Sequence, residues 1–168
     1  MQKYFHPKTQ LKVEKRALIY KEHDQLVDLC EEAGLLCWKF ARKQWPSSTR
    51  WSILIGKGHN GADGLAFAYH AHLAGHKAQI FLFETPQNSA ELTIYMLEKA
   101  KQINCTFLSF CEKDIQNSDV IVDAMLGIGI NRPLSGLSLE AALMINQSKL
   151  QVFSIDCPSG LDAYTGSS

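Results

Sequence analysis

Short apolar runs alternate with amphipathic stretches along most of this chain, and that alternation narrows the folds open to it. SILIG (52–56), AQIFLF (78–83) and DVIVD (119–123) are apolar almost throughout, with weaker runs at Cys105–Leu108 and Val152–Ile155. Strands that hide both faces belong to parallel sheets covered on each side by helices. Between them, Asp63–Ala74, Asn88–Ile103 and Leu137–Gln147 read as helices. Before them, Leu26, Leu29, Cys30, Ala33, Cys37, Phe40 and Ala41 recur at helical spacing across Asp24–Gln44. Trp45-Pro46-Ser47-Ser48 ends that helix. It and an earlier helix over Val13–Tyr20 are expected to cap the sheet at the N-terminal side. The pattern predicts an α/β fold, doubly wound, with a mostly parallel sheet between two helical layers.

Length and charge remove several alternatives. A chain of 168 residues is long enough for one domain with a sizeable core, and one domain over 1–168 is the expectation. Its 17 Lys and Arg balance 17 Asp and Glu, which argues against a nucleic-acid or anionic-membrane surface. The basic cluster Lys12–Lys21 is interrupted by Glu14 and reads as a solvated helix face. No apolar run approaches the ~20 residues of a membrane helix, and MQKYFHPKTQ does not resemble a signal peptide. Five cysteines without a C-x-x-C pair suit core packing in a reducing compartment, so a cytoplasmic protein is expected.

In doubly wound sheets, ligands bind beyond the carboxyl ends of the strands. Three loops there are unusual: GKGHNGADG (56–64), DAMLGIGINRP (123–133) and DCPSGLDAYTG (156–166). Gly56, Gly58 and Gly61 fit the G-x-G-x-x-G fingerprint of Rossmann-like dinucleotide sites, and Glu84 stands where a ribose-binding acid is expected. Two points count against an oxidoreductase. Asp63 is expected to open the following helix, where it would repel a pyrophosphate, and no substrate domain is evident. In the second loop, Gly127 and Gly129 suit an anion nest and Arg132 adds a cation, although a plain surface turn accounts for them equally well. In the third, Asp156 closes an apolar strand at a crevice expected to raise its pKa, which suits an acid or base. A turn aspartate is the plainer alternative. Asn60, Asp123 and Ser159 together offer an amide, one carboxylate and a hydroxyl. That set suits a hard monovalent cation better than zinc.

The three loops together resemble those of the YjeF N-terminal domain family of NAD(P)H-hydrate epimerases. Family loops read roughly G-x-x-N-N-G-G-D-G, V-D-A-L-F-G-T-G-L-x-R-P and D-x-P-S-G-L-D-A-D-T-G, in the same order. CEEAG (30–34) is similar to the family's M-E-x-A-G, so the resemblance runs from about residue 13 to the end. It implies an isomerase that interconverts the R and S epimers of hydrated NADH and NADPH, a nucleotide-repair reaction in which the dinucleotide is substrate. It implies substrate contacts at His59, Asn60, Gly61, Ala62 and Asp63, and at Gly127, Ile128, Gly129, Ile130, Asn131, Arg132 and Pro133. Asp156 is implied as a further contact and is expected to be the catalytic acid–base group. A potassium site is implied at Asn60, Asp123 and Ser159.

The chain departs from the family pattern at His59, Ala62, Ile128 and Tyr164, where asparagine, glycine, threonine and aspartate are usual. Family domains continue with further strands, so the C-terminal strands are expected to be missing here. Fusion or functional linkage to an ADP-dependent dehydratase is implied, as is a homodimer through the N-terminal helices. A non-catalytic binding module of the same fold stays open, with an NAD-dependent oxidoreductase as the third alternative.

Overall fold

The central strand of the sheet, β1 (Arg50–Ile55), turns Trp51, Ile53 and Ile55 to one side and Ser52 and Leu54 to the other, all five buried. The computed structural model describes residues 23–83, 88–129 and 133–167. The expected helix over Val13–Tyr20, the basic cluster, Glu84 and the loop residues Ile130, Asn131 and Arg132 lie outside them. In chain order the elements are α1 (His23–Gln44), β1, α2 (His59–Leu73), β2 (Lys77–Leu82), α3 (Glu91–Gln102), β3 (Thr106–Leu108), α4 (Glu112–Gln116), β4 (Val120–Ala124), α5 (Gly136–Gln147) and β5 (Gln151–Ser154).

Among the described residues the strands form one parallel sheet in the order β3-β2-β1-β4-β5. The chain therefore starts in the middle, winds outward through β2 and β3, then crosses to β4 and β5. The order reverses between β1 and β4, where Leu54 pairs with Asp123. Two cores cover the sheet. On one face Trp51, Ile53, Ile55, Ile80, Val120 and Val122 pack against α1, α2 and α3. On the other, Leu54, Phe81, Ile121 and Met125 pack against Ile115 of α4 and Ala141 and Met144 of α5. This is the expected three-layer, Rossmann-like arrangement.

Three details differ from the sequence reading. Helix α1 is not simply a cap on the sheet: it lies along α2, with Gly34 so close to Ala66 that a Cβ there would stand 2.3 Å from the Ala66 methyl. Trp38 reaches past α2 to meet Trp51 edge-on at 5.3 Å and Phe67 at 5.6 Å, a geometry worth about 1 kcal/mol per aromatic pair. Secondly, α2 begins at His59 rather than Asp63. Thirdly, β4 starts after Asp119, whose carboxylate instead accepts the Thr49 and Arg50 amides at 2.8 and 2.9 Å, and the Arg50 guanidinium at 2.9 Å.

Candidate functional site

The first loop leaves β1 at Gly56 and enters α2 within three residues. Gly58 caps the helix in an extended conformation without a side-chain cap, and its carbonyl accepts the Gly61 amide at 2.9 Å and the Thr93 hydroxyl at 2.9 Å. The tightness explains the glycines: a Cβ on Gly61 would lie 2.0 Å from the Gly56 oxygen, and one on Gly64 would lie 2.4 Å from the Ala124 methyl. Glycine here admits protein backbone and helix–sheet contact. Because α2 opens at His59, its first turn contains no acid. The expected repulsion of a pyrophosphate by Asp63 is therefore withdrawn, and the positive end of α2 lies at the carboxyl edge of the sheet.

The second and third loops are cross-linked. Asp123 is 4% exposed at the end of β4. Its carboxylate accepts the Ser159 amide at 2.8 Å, the Ser159 hydroxyl at 2.6 Å and the Met125 amide at 3.2 Å. Ser159 Oγ in turn accepts the Leu126 amide at 3.0 Å. Burial pushes the Asp123 carboxyl above its ordinary value, and the hydroxyl and amide donors of Ser159 and Met125 only partly offset this. A few residues away, Asp156 Oδ2 accepts the Ile128 amide at 2.7 Å. Asp156 adopts φ 68°, a left-handed conformation that costs a non-glycine residue about 1–3 kcal/mol and concentrates at functional sites. The carboxylate lies where Gly127 has no side chain, since a Cβ there would fall 2.4 Å from Oδ2. Asp156 is exposed. Cys157 beside it is pushed up to about 11 by burial and then by the Asp156 and Asp123 charges.

Asn60 meets these loops from α2. Its Cβ would stand 3.4 Å from a Cβ on Gly127, and both its amide nitrogen and its oxygen are buried without a hydrogen-bond partner. A buried primary amide left unpaired costs about 1–3 kcal/mol per group. Such an orphaned oxygen, on a residue beside Gly127 and so next to the Leu126 amide that Ser159 accepts, fits a cation held by oxygen donors such as the set Asn60, Asp123 and Ser159.

The sequence-derived candidates thus separate. Asn60, Gly127, Ile128 and Asp156 come together, and Asp123 and Ser159 support them from beneath. His59 and Gly129 are exposed at the rim, as is Pro133. Gly61 and Ala62 are buried in the core contact of α2. Asp63 sits in the second turn, on the side of α1, where its charge adds to burial in pushing the Cys30 thiol up. Thr93, and the Met125 and Leu126 amides, were not legible as contributors. Thr93 is a small polar residue on the buried face of an otherwise apolar stripe, which is the one signal that could have marked it.

Known proteins resemble this chain along most of its length. The family model described as YjeF-related protein N-terminus matches residues 26–168. The NAD(P)H-hydrate epimerase of Entamoeba histolytica is 33% identical over 153 residues, covering 89% of this chain and 66% of that protein. The NAD(P)H-hydrate epimerase of Limosilactobacillus fermentum is 30% identical over 140 residues, 82% of this chain and 66% of that protein. The bifunctional NAD(P)H-hydrate repair enzyme Nnr of Synechocystis is 30% identical over 140 residues, 82% of this chain but 26% of the enzyme. The chain therefore spans between a quarter and two thirds of these relatives. The crystal structure of yeast ynu0, YNL200c, superposes with a TM-score of 0.81 at 22% identity over 96% of this chain and 72% of that one. Fold, loop order and sequence together place the chain in the YjeF-related N-terminal domain family.

Proposed function

We propose that this domain interconverts the R and S epimers of hydrated NADH and NADPH. The observation that carries the reading is the meeting of three carboxyl-end loops on one exposed, conformationally strained carboxylate, Asp156, beside the orphaned amide of Asn60. Support comes from the names of the similar epimerases.

The reacting carbon bears a hydroxyl and a ring nitrogen. In this reading Asp156 is the group that passes a proton to the departing hydroxyl, which leaves as water while the ring nitrogen lone pair forms the C=N bond. Water then adds to the opposite face and returns one proton to Asp156, so atoms and charge balance and only the configuration changes. The Ile128 amide, donating to Oδ2, leaves Oδ1 as the natural proton carrier. His59 and the backbone of Gly127–Gly129 line the rim for polar parts of the substrate, and the positive start of α2 favours a phosphate. Ile130, Asn131, Arg132 and Pro133 complete the second loop in this reading, with Gly61, Ala62 and Asp63 carried only by family resemblance.

Asn60, Asp123 and Ser159 would hold a potassium ion, which when bound would supply positive charge that neutralises the buried Asp123 carboxylate. We also place the domain in the cytoplasm, in functional linkage with a dehydratase such as the bifunctional relatives suggest. Among the described residues no helix is long and apolar enough to cross a membrane. We expect a homodimer, because α1 leaves Leu29, Leu36 and Phe40 more than half exposed along one side; sedimentation equilibrium checks this.

The test is a coupled assay. An epimeric mixture of hydrated NADPH is treated with an S-specific dehydratase and potassium, and recovery of NADPH is followed. The residual R epimer should disappear only when this protein is added. Persistence of the R pool with a folded, nucleotide-binding protein would leave a binding module instead. Reduction of NAD by an alcohol or hydroxy acid would favour an oxidoreductase.

A further inference from the structure

Thr93 is the one polar residue that α3 buries, 3% exposed among Leu92, Met96, Leu97 and Ala100. A hydroxyl among such neighbours is costly unless it is bonded, and a valine would fill the same space without that cost. In a helix a threonine hydroxyl can turn back on its own chain. Here it leaves α3 altogether and donates to the Gly58 carbonyl at 2.9 Å. Three residues earlier, at the start of the same helix, the Ala90 amide donates to the Lys57 carbonyl at 2.8 Å. Two successive carbonyls of the first loop are thus held from α3.

The held peptide is bare on its other side. Lys57, Gly58 and His59 are exposed. A Cβ on Gly56, Gly61 or Gly64 would strike protein at 1.7, 2.0 and 2.4 Å, but a Cβ on Gly58 would meet nothing within 4 Å. Its φ of −89° is open to any residue as well. Neither packing nor backbone angle therefore asks for glycine at 58, directly before His59 and Asn60. Gly58 also opens α2 without a side-chain cap, so the loop has no clamp of its own there. We propose that Thr93 is a positioning residue for nucleotide binding: by holding the Gly58 carbonyl from the buried side, it fixes the first loop in the shape against which the nucleotide lies, with Gly58 left bare for close approach. This rests on the nucleotide reading above. Buried Thr93 acts through that carbonyl and not by touching substrate.

The experiment measures Tm, kcat and KM for the hydrated nucleotide on the intact chain and on Thr93→Val, Thr93→Ser and Gly58→Ala. Valine keeps the shape and loses the bond, whereas serine keeps the bond and loses a buried methyl. Thr93→Val should raise KM roughly fivefold, the worth of one neutral hydrogen bond, with kcat near the parent's. Thr93→Ser should bind as the parent does although its Tm falls. Gly58→Ala should fold as the parent does and raise KM further. A merely structural role makes KM follow Tm, so a raised KM in Thr93→Ser overturns the proposal, as does an unchanged KM in Thr93→Val. A parent-like KM for Gly58→Ala shows that nothing lies over that peptide and overturns it too. Should Thr93→Val fail to fold, Thr93→Ala takes its place, since it differs from Thr93→Ser by the hydroxyl alone. Binding of NADPH, followed by its own fluorescence, separates this inference from the epimerase reading. If the parent binds NADPH without epimerising, the same order of Kd values upholds the proposal while the epimerase reading falls. If the parent epimerises and the variants share its KM, the reverse holds. A parent that neither epimerises nor binds NADPH removes the nucleotide reading and this proposal with it.

Discussion

Asp119 and Asp123 bracket one five-residue stretch, DVIVD, yet they sit at opposite ends of the sheet and in opposite electrostatic states. At the amino end, burial pushes Asp119 up, but the Arg50 side chain and the Thr49 and Arg50 amides outweigh it and hold the carboxyl at about 2. At the carboxyl end Asp123 is more deeply buried, faces no cationic side chain among its named partners, and is held above its ordinary value. The first arrangement is satisfied by the protein alone. The second leaves charge to be balanced from outside. Stability is concentrated at one end of β4 and unmet demand at the other, which is the division expected where ligands bind beyond strand ends.

Substitutions at the two ends should therefore fail differently. The largest effect is expected for Asp156→Asn, which should lower epimerisation by about 10²–10⁴-fold with little change in Tm, as measured by the coupled assay and calorimetry. A large Tm loss would show the carboxylate to be structural. Gly127→Ala comes next. Its methyl would occupy the place of Asp156 Oδ2, and displacing a reacting group by about 1 Å costs roughly 10²-fold. A fully active Gly127→Ala protein would break the geometric argument.

Asp123→Asn should abolish the potassium-induced rise in Tm while leaving a folded protein. The pH dependence sharpens the point. A carboxyl whose folded value is raised binds its proton more firmly than the unfolded chain does. Its contribution to stability is thus full below the ordinary carboxyl value of 3.8 and is lost as pH rises through the raised value. Potassium should offset that loss, so its stabilising effect should be larger near neutrality than at pH 4; equal shifts at both would count against Asp123 as a ligand. Asp119 has the opposite sign: its contribution is present above 3.8 and is lost as pH falls through about 2. Asp119→Ala should cost about 1–2 kcal/mol, after allowance for solvent screening of the half-exposed Arg50 partner, without altering the rate per folded molecule. Urea melts at pH 3 and pH 7 check both.

The layered fold was legible because its strands are apolar on both faces, a pattern that only covered parallel sheets need. The candidate site was legible as loops following those strands. The differing roles of Asp119 and Asp123 were not: each flanks the same valine-rich run, and only the sheet's direction and the distant Arg50 separate them. The start of α2 was misplaced because His59-Asn60-Gly61 carries poor helix formers, and close packing against Gly56 overrides that propensity. Five-residue α4 is too short to show a period.

Strand β5 has a consequence for the protein's working life. Among the described residues it lies at the border of the sheet, hydrogen-bonded to β4, and the loop carrying Asp156 and Ser159 follows it. Border strands open more readily than central ones. Catalytic competence would then have a shorter lifetime than the folded core: warming should silence the domain by releasing β5 while Trp38 and Trp51 are still packed together. Activity would vanish at a lower temperature than tryptophan fluorescence reports unfolding. The same looseness would let a ligand that bridges Asn60 and Ser159 act as a clasp, closing the border onto the centre of the sheet.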